Sequence, residues 1–264
     1  MTNLPVDRFA ELRAPAHWQA VDFISDLHLH PGEPQTLGAW WRYLERPPEE
    51  RADALFILGD LFEVWVGDDA LENPDSFGAL CARQLHQHSI DTPVFFMCGN
   101  RDFLVGPSAL SACGMQGLDD PTVLEFMGER WLLSHGDALC LDDTDYLAFR
   151  AMVRSAEWQR SFLAQPLAQR EAVARDLRER SEARKKSLAH DPALWADVDA
   201  EEARRWLRAA GAATLIHGHT HRPATHDLGE GLQRVVLSDW DAAATPARLD
   251  ILRLSHSGFS HLRP

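Results

Sequence analysis

The stretch Ala54-Leu55-Phe56-Ile57-Leu58-Gly59-Asp60-Leu61-Phe62-Glu63 decides the fold. Its first five residues are all apolar, which predicts a strand buried on both faces, as in parallel sheets. Gly59 allows a tight turn where the strand ends, and Asp60 places a carboxylate directly after that turn. Because ligands of α/β sheets gather beyond the carboxyl ends of the strands, we expect an α/β protein whose functional site includes Asp60.

Four other apolar runs, at residues 21–24, 94–97, 131–133 and 213–216, also end in polar clusters. The clusters are Asp26-Leu27-His28, Gly99-Asn100-Arg101-Asp102, Ser134-His135-Gly136-Asp137 and His217-Gly218-His219. Strand ends hold side chains rigidly, so residues that are far apart in the sequence can converge on one pocket. Carboxylate, amide and imidazole ligands in this arrangement predict a site for two metal ions that cleaves a phosphoester.

Within such a site Asp60 is the expected bridging ligand. Two cations about 3.5–4 Å apart repel each other strongly unless an anion lies between them. Asn100 adds a neutral oxygen, which leaves the centre cationic enough to hold a phosphate. Asp102 and Asp137 are expected to orient the ligands without binding a metal themselves.

The order D-x-H, G-D, G-N, H and G-H-x-H, spread over residues 26–219, resembles the calcineurin-like metallophosphoesterases. The resemblance implies a four-layer αββα sandwich of two mixed sheets in a single domain over residues 1–264. It also implies two groups of metal ligands, which share Asp60. One metal would be held by Asp26, His28, Asp60 and His219, and the other by Asp60, Asn100, His135 and His217. His221 follows His219 by two residues and stands outside this ligand set.

Arg101 follows Asn100 where many members of the family have His, and Asp142-Asp143-x-x-Tyr146 and His219-Thr220-His221-Arg222-Pro223 accompany this variant. The combination resembles the branch that hydrolyses the pyrophosphate bond of UDP-2,3-diacylglucosamine in lipid A biosynthesis. The resemblance implies two Mn²⁺ per chain, with water activated by the two metals attacking the α-phosphorus to give UMP and 2,3-diacylglucosamine 1-phosphate.

Catalytic and substrate-binding residues follow from the same resemblance. The expected catalytic residues are Asn100, Arg101 and His217. Substrate contacts are expected from these three residues and from Asp143, Ser181 and Lys186. Arg101 suits a phosphate because its planar guanidinium donates two parallel hydrogen bonds and keeps its proton.

Helices are predicted near residues 35–46, 75–89 and 193–210, where Ala, Leu, Arg and Glu dominate. Strands are predicted at 232–237 and 247–254, and both are expected to close the second sheet. Cys81, Cys98, Cys113 and Cys140 form no CxxC pair and are expected to be reduced thiols in the core. Residues 1–20 contain no long apolar run, which indicates a cytoplasmic protein without a secretory signal.

A helical cap is predicted as an insertion at about residues 145–190. Residues 150–186 contain ten basic and five acidic residues, which gives this segment a local charge of +5. Because the net charge of the whole chain is −14, the remaining residues together carry −19. Apolar residues recur there at spacings of three to five. Either this apolar stripe packs on the main domain beneath a solvated basic face, or the cap accepts acyl chains and meets anionic headgroups.

Other functions stay open. Another metallophosphoesterase, acting on a soluble nucleotide diphosphate or a phosphoprotein, would share every ligand, and some members of the family are scaffolds without activity. A net charge of −14 argues against general nucleic-acid binding. The expected partners are therefore the lipid-linked nucleotide substrate and, peripherally, the inner membrane, and the chain is expected to act as a monomer.

Overall fold

The computed structural model describes residues 9–188 and 197–264, with residues 180–188 described by their backbone alone. In this part of the chain there are twelve strands and seven α-helices. The strands are β1 (Ala10–Arg13), β2 (Ala20–Ile24), β3 (Ala54–Leu58), β4 (Val94–Met97), β5 (Met115–Leu118), β6 (Thr122–Phe126), β7 (Glu129–Ser134), β8 (Thr214–His217), β9 (Ala224–Gly229), β10 (Leu232–Val236), β11 (Ile251–Ser255) and β12 (Gly258–Leu262). The helices are α1 (Pro34–Leu44), α2 (Phe77–Ser89), α3 (Pro107–Cys113), α4 (Thr144–Val153), α5 (Ala156–Leu163), α6 (Leu167–Leu188) and α7 (Ala200–Ala210).

The strands form two mixed sheets of six strands each. The first has the order β12-β11-β2-β3-β4-β5, and β2 to β5 run parallel. The second has the order β1-β6-β7-β8-β10-β9, in which β7, β8 and β10 run parallel. Each of the five predicted clusters follows a strand that has a parallel neighbour. Because the carboxyl ends of parallel neighbours meet at the same edge of a sheet, the clusters within each sheet lie at one edge.

Apolar residues from both sheets fill the space between them. Phe56 of β3 stacks on Phe95 of β4 with ring centroids 4.8 Å apart, and Leu133 and Ile216 of the second sheet belong to the same buried cluster. The outer face of the first sheet packs against α1, α2 and α3, and that of the second packs against α7. The predicted four-layer αββα sandwich is therefore confirmed.

Most predicted elements are present with small shifts at their ends. The strands at 54–58 and 94–97 have the predicted bounds, and the helices at 35–46 and 75–89 correspond to α1 and α2. The helix predicted at 193–210 corresponds to α7, which begins at Ala200 because the Asp199 side chain accepts a hydrogen bond from the Glu202 amide at 2.7 Å. Residues 193–196 lie outside the described part of the chain.

The prediction for the C-terminal strands was wrong in two respects. The strand expected at 247–254 begins only at Ile251, because Arg248 pairs with Asp241 in an isolated bridge. The two C-terminal strands also do not close one sheet together. β10 lies in the second sheet, whereas β11 pairs antiparallel with β2 in the first.

Helices α4, α5 and α6 fall within the insertion predicted at about 145–190. Phe162 of α5 is buried in the cluster on the outer face of the first sheet and stacks on Trp158 at 4.6 Å. Arg170 of α6 is 1% exposed and donates hydrogen bonds to the Val66 carbonyl and the Asp69 carboxylate of the loop after β3. The described residues include no helix that is long and apolar enough to cross a membrane.

Candidate metal centre

The segments after β2 and β3 bring the first ligands together. The Asp26 amide donates to the Gly59 carbonyl at 3.0 Å, and the His28 amide donates to the Asp60 carbonyl at 2.9 Å. The two backbone segments therefore run side by side beyond their strands. In the second sheet the Gly218 amide donates to the His135 carbonyl at 3.0 Å, which aligns the segments after β7 and β8.

The backbone at the site adopts a conformation that side chains rarely allow. Of the seven non-glycine residues with positive φ in the described chain, five are Asp26, His28, Asp60, His219 and His221, with φ between 48° and 65°. Gly59 has a φ of 92°, and a Cβ there would collide with the His135 ring. Left-handed backbone at these residues concentrates at functional sites because the surrounding structure must hold it in place.

Asp26, His28 and His221 form one group of converging ligand atoms. His221 Nε2 lies 3.2 Å from Asp26 Oδ1 and 3.4 Å from His28 Nε2. Asp60 Oδ2 lies 3.9 Å from His28 Nε2, so the Asp60 carboxylate adjoins this group. Asp26 is fully buried, and its Oδ2 accepts a hydrogen bond from the His219 amide at 2.9 Å.

A second group forms around Asn100. Its Oδ1 lies 3.1 Å from His135 Nε2 and 2.9 Å from His219 Nδ1, and Asp60 Oδ2 lies 3.8 Å from His135 Nε2. His135 Nδ1 lies 2.9 Å from the Leu58 carbonyl, to which it donates. This hydrogen bond fixes the tautomer of His135 and leaves Nε2 free for a cation.

His217 is the predicted ligand that the structure does not bring into either group. Its Nδ1 lies 2.9 Å from the Gly218 carbonyl, and its Nε2 lies 3.4 Å from Arg234 Nη1. One nitrogen thus faces a hydrogen-bond acceptor and the other a donor, which leaves no free lone pair for a metal. The geometry favours His221 in place of His217. A signal for this was in the sequence, because Gly218-His219-Thr220-His221 matches G-H-x-H literally.

The buried charges of the site perturb one another. Burial alone would raise the pKa of Asp26, but His221, His135 and His28 hold it well below its usual range. Burial would lower the pKa of His135, yet Asp60 and Asp26 outweigh it and raise that pKa to about 9. Two buried carboxylates surrounded by imidazoles therefore form a pocket that favours the binding of cations.

Asp102 fixes the backbone of the site from behind. Its carboxylate accepts hydrogen bonds from the Gly99 and Leu61 amides at 2.8 Å and from the Asp60 amide at 3.3 Å. The segments that carry Asp60 and Asn100 are thus held together by one side chain. Asp137 connects to the cap instead, because it accepts hydrogen bonds from Tyr146 Oη at 2.5 Å and Arg150 Nε at 2.8 Å.

The predicted substrate contacts lie beside the site or on the cap. The Arg101 amide donates to Asp60 Oδ1 at 2.8 Å, and its guanidinium is 16% exposed. Asp143 caps α4 by accepting a hydrogen bond from the Tyr146 amide at 3.1 Å. Ser181 and Lys186 fall on α6 at positions whose side chains lie outside the described part of the structure.

The donor set fits two divalent cations. Carboxylate and amide oxygens with imidazole nitrogens suit Mn²⁺, Zn²⁺ and Fe²⁺, and a soft thiolate is absent from both described groups. The ligand atoms of Asp26, His28 and His221 all lie within 4.8 Å of one another, and so do those of Asp26, Asp60 and His135.

Known proteins match this chain over most of its length. The family model described as calcineurin-like phosphoesterase matches residues 20–223. The UDP-2,3-diacylglucosamine hydrolase of Chromobacterium violaceum is 46% identical over 228 residues, which cover 84% of this chain and 90% of that protein. The protein of the same name from Xanthomonas oryzae pv. oryzae is 44% identical over 236 residues, with coverages of 86% and 94%.

A solved dimetal phosphatase from Danio rerio aligns over 93% of this chain and 97% of its own, with a TM-score of 0.46 and 15% identity. The family model covers well over half of the chain, and the curated relatives match it over most of their lengths. On these matches the chain belongs to the calcineurin-like phosphoesterase family.

Proposed function

We propose that this chain hydrolyses the pyrophosphate bond of UDP-2,3-diacylglucosamine to UMP and 2,3-diacylglucosamine 1-phosphate, as a monomer at the cytoplasmic face of the inner membrane. The observation that carries the proposal is the convergence of two ligand groups that adjoin Asp60, next to a partly exposed arginine and a helical cap. The relatives in Chromobacterium and Xanthomonas, whose name states this hydrolase activity, support the choice of substrate.

The two metals would be held by ligand sets that overlap at Asp60. The first set is Asp26, His28, Asp60 and His221, and the second is Asp60, Asn100, His135 and His219. Mn²⁺ is the proposed ion because it accepts mixed oxygen and nitrogen ligands. Bound there, the ions would supply Lewis acidity and a water of lowered pKa.

The remaining roles belong to side chains of the chain itself. Arg101 would hold the diphosphate and stabilise the charge that develops on the α-phosphorus, since its backbone is tied to Asp60. Asn100 would serve both as a ligand and as a contact of the same phosphate. Asp143, Ser181 and Lys186 are proposed as substrate contacts from the cap. His217 stands outside both proposed ligand sets, because both its nitrogens face other groups.

The cap offers apolar surface for the acyl chains. Met152 of α4, Leu163 of α5 and Val173 and Leu177 of α6 are each 38–50% exposed. We propose these four side chains as the contacts of the acyl chains, since a contiguous exposed apolar patch marks a binding surface. Phe162 and Trp158 pack inward, so the cap both rests on the main domain and keeps apolar residues outside it.

The test is phosphorus NMR of the products formed from UDP-2,3-diacylglucosamine with Mn²⁺ in ¹⁸O-enriched water. We expect UMP that carries the heavy oxygen, because attack at the α-phosphorus transfers the new oxygen to the nucleotide. UDP-glucose and a phosphomonoester serve as parallel substrates and should turn over poorly.

The same experiment separates the alternatives. Preferred cleavage of UDP-glucose or of the phosphomonoester would favour a phosphoesterase for soluble substrates and would contradict the lipid-linked one. Turnover of none of the three by metal-loaded protein would favour a scaffold.

A further inference from the structure

Glu63 lies where the metal centre meets the cap. It follows β3 by five residues, and its amide donates to the Leu29 carbonyl at 3.2 Å, which fixes its backbone beside the segment that carries His28. The side chain is 10% exposed and has three basic neighbours. These neighbours are His28, Arg101 and Arg178.

One carboxylate oxygen of Glu63 faces a metal ligand. His28 Nε2 points toward Asp26 and Asp60, so Nε2 is the nitrogen available to a cation. The opposite nitrogen, Nδ1, is buried without a hydrogen-bond partner and lies 3.3 Å from Glu63 Oε2. A neutral imidazole that binds a metal through Nε2 carries its proton on Nδ1, and a small rotation would donate that proton to Glu63.

The other oxygen faces two guanidinium groups. Glu63 Oε1 lies 3.1 Å from Arg178 Nε on α6 and 3.7 Å from Arg101 Nη1. One carboxylate thus has an imidazole on one side and two guanidinium groups on the other. Arg178 is therefore the contact through which the carboxylate reaches the cap.

We propose that Glu63 is a positioning residue that couples cap helix α6 to the metal centre, with one carboxylate oxygen orienting His28 and the other holding Arg178. This rests on the proposed function only in assigning the centre to metal ions. When His28 is fixed by a cation, Glu63 is fixed in turn and holds Arg178 more firmly. Occupancy of the centre thereby tightens the cap, and by linkage a tightened cap strengthens metal binding.

Glu63→Gln is the test variant, because it keeps the shape of the side chain and removes its charge. Asp69→Asn is the matched control, since Asp69 lies on the same loop and binds α6 through Arg170 but contacts none of the candidate ligands. Mn²⁺ affinity is measured from the electron paramagnetic resonance signal of the free ion. We expect the affinity to fall about tenfold in Glu63→Gln and by less than about twofold in Asp69→Asn, which loosens α6 but leaves the Glu63 contact with His28 intact.

Hydrogen exchange of residues 167–179, with and without Mn²⁺, measures the coupling. Mn²⁺ should slow exchange in the wild type and in Asp69→Asn, and this protection should be lost in Glu63→Gln and in Arg178→Gln. Wild-type Mn²⁺ affinity in Glu63→Gln, or Mn²⁺-dependent protection of α6 that survives both substitutions, would overturn the proposal. Neither readout uses substrate, so a failed lipid assignment would show separately in the phosphorus NMR experiment.

Discussion

At the scale of single residues, backbone conformation distinguishes His219 and His221 from His217. His219 and His221 both have left-handed backbone, with φ of 65° and 53°, whereas His217 is the last residue of β8. A left-handed conformation costs about 1–2 kcal/mol at a residue with a Cβ. Hydrogen bonds such as that from the His219 amide to Asp26 hold this conformation in place. His221 thus turns back toward Asp26 and His28, while His217 stays in the sheet.

Paired substitutions of the two histidines test this assignment. We expect His221→Ala to lower turnover at least about a hundredfold, because one metal loses a direct ligand. His217→Gln should retain activity within about tenfold, because its ring contacts Arg234 and Gly218 rather than the centre. Steady-state turnover at saturating Mn²⁺ measures both effects, and Asp60→Ala, which should destroy activity while the protein stays folded, sets the lower limit. The reverse order of losses would restore His217 as the ligand.

The four cysteines give a second prediction at this scale. All four are free, and burial raises the pKa of each thiol to about 12. The reactive species is the thiolate, so at pH 8 nearly every thiol stays protonated and unreactive. We expect the native protein to resist iodoacetamide and the denatured chain to take up four equivalents by mass spectrometry. Rapid labelling of the native protein, first at the half-buried Cys98, would contradict this.

At the scale of elements, the local sequence pattern predicted the buried strands because their apolar runs are only three to five residues long and end in turn residues. β3 and β4 have the predicted bounds, and the turn residues that follow them carry the site. Five strands, β1, β5, β6, β9 and β12, were missed because their short segments show no continuous apolar run. The placement of β11 beside β2 rests on pairing between distant segments, which a local pattern cannot express. His221 was not predicted as a ligand for a different reason, because the two histidines of G-H-x-H were assigned to His217 and His219 instead of His219 and His221.

Helix α6 is attached to the main domain in part through the buried side chain of Arg170. Its guanidinium donates to the Val66 and Gln165 carbonyls and to Asp69, so its loss leaves buried polar groups unpaired. We expect Arg170→Met to lower the free energy of local opening of α6 by about 1–3 kcal/mol, measured by hydrogen exchange of residues 167–179. Arg175→Met, at an exposed position of the same helix, should leave that exchange unchanged. Equal effects of the two substitutions would remove this role of Arg170.

At the scale of the whole molecule, charge is divided between the cap and the rest of the chain. Residues 150–186 carry +5 while the remainder carries −19. An anionic bilayer would repel most of the surface and attract this segment, with about 1 kcal/mol gained for each Lys or Arg near the surface. The exposed apolar side chains of the cap lie on the three helices of this segment, α4, α5 and α6. We therefore propose that the cap, rather than the rest of the surface, would meet an anionic membrane.

We accordingly expect co-sedimentation with phosphatidylglycerol vesicles at low salt, weaker binding as ionic strength rises, and none with phosphatidylcholine vesicles. The double substitution Arg160→Glu and Arg175→Glu, at exposed cap positions, should abolish binding. Arg42→Glu with Arg208→Glu makes the same change in net charge outside the cap and should retain it. Equal loss in both double variants would mean that total charge governs binding. Failure of the wild type to bind anionic vesicles, with or without substrate, would remove the membrane from the proposed function and leave the metal centre unaffected.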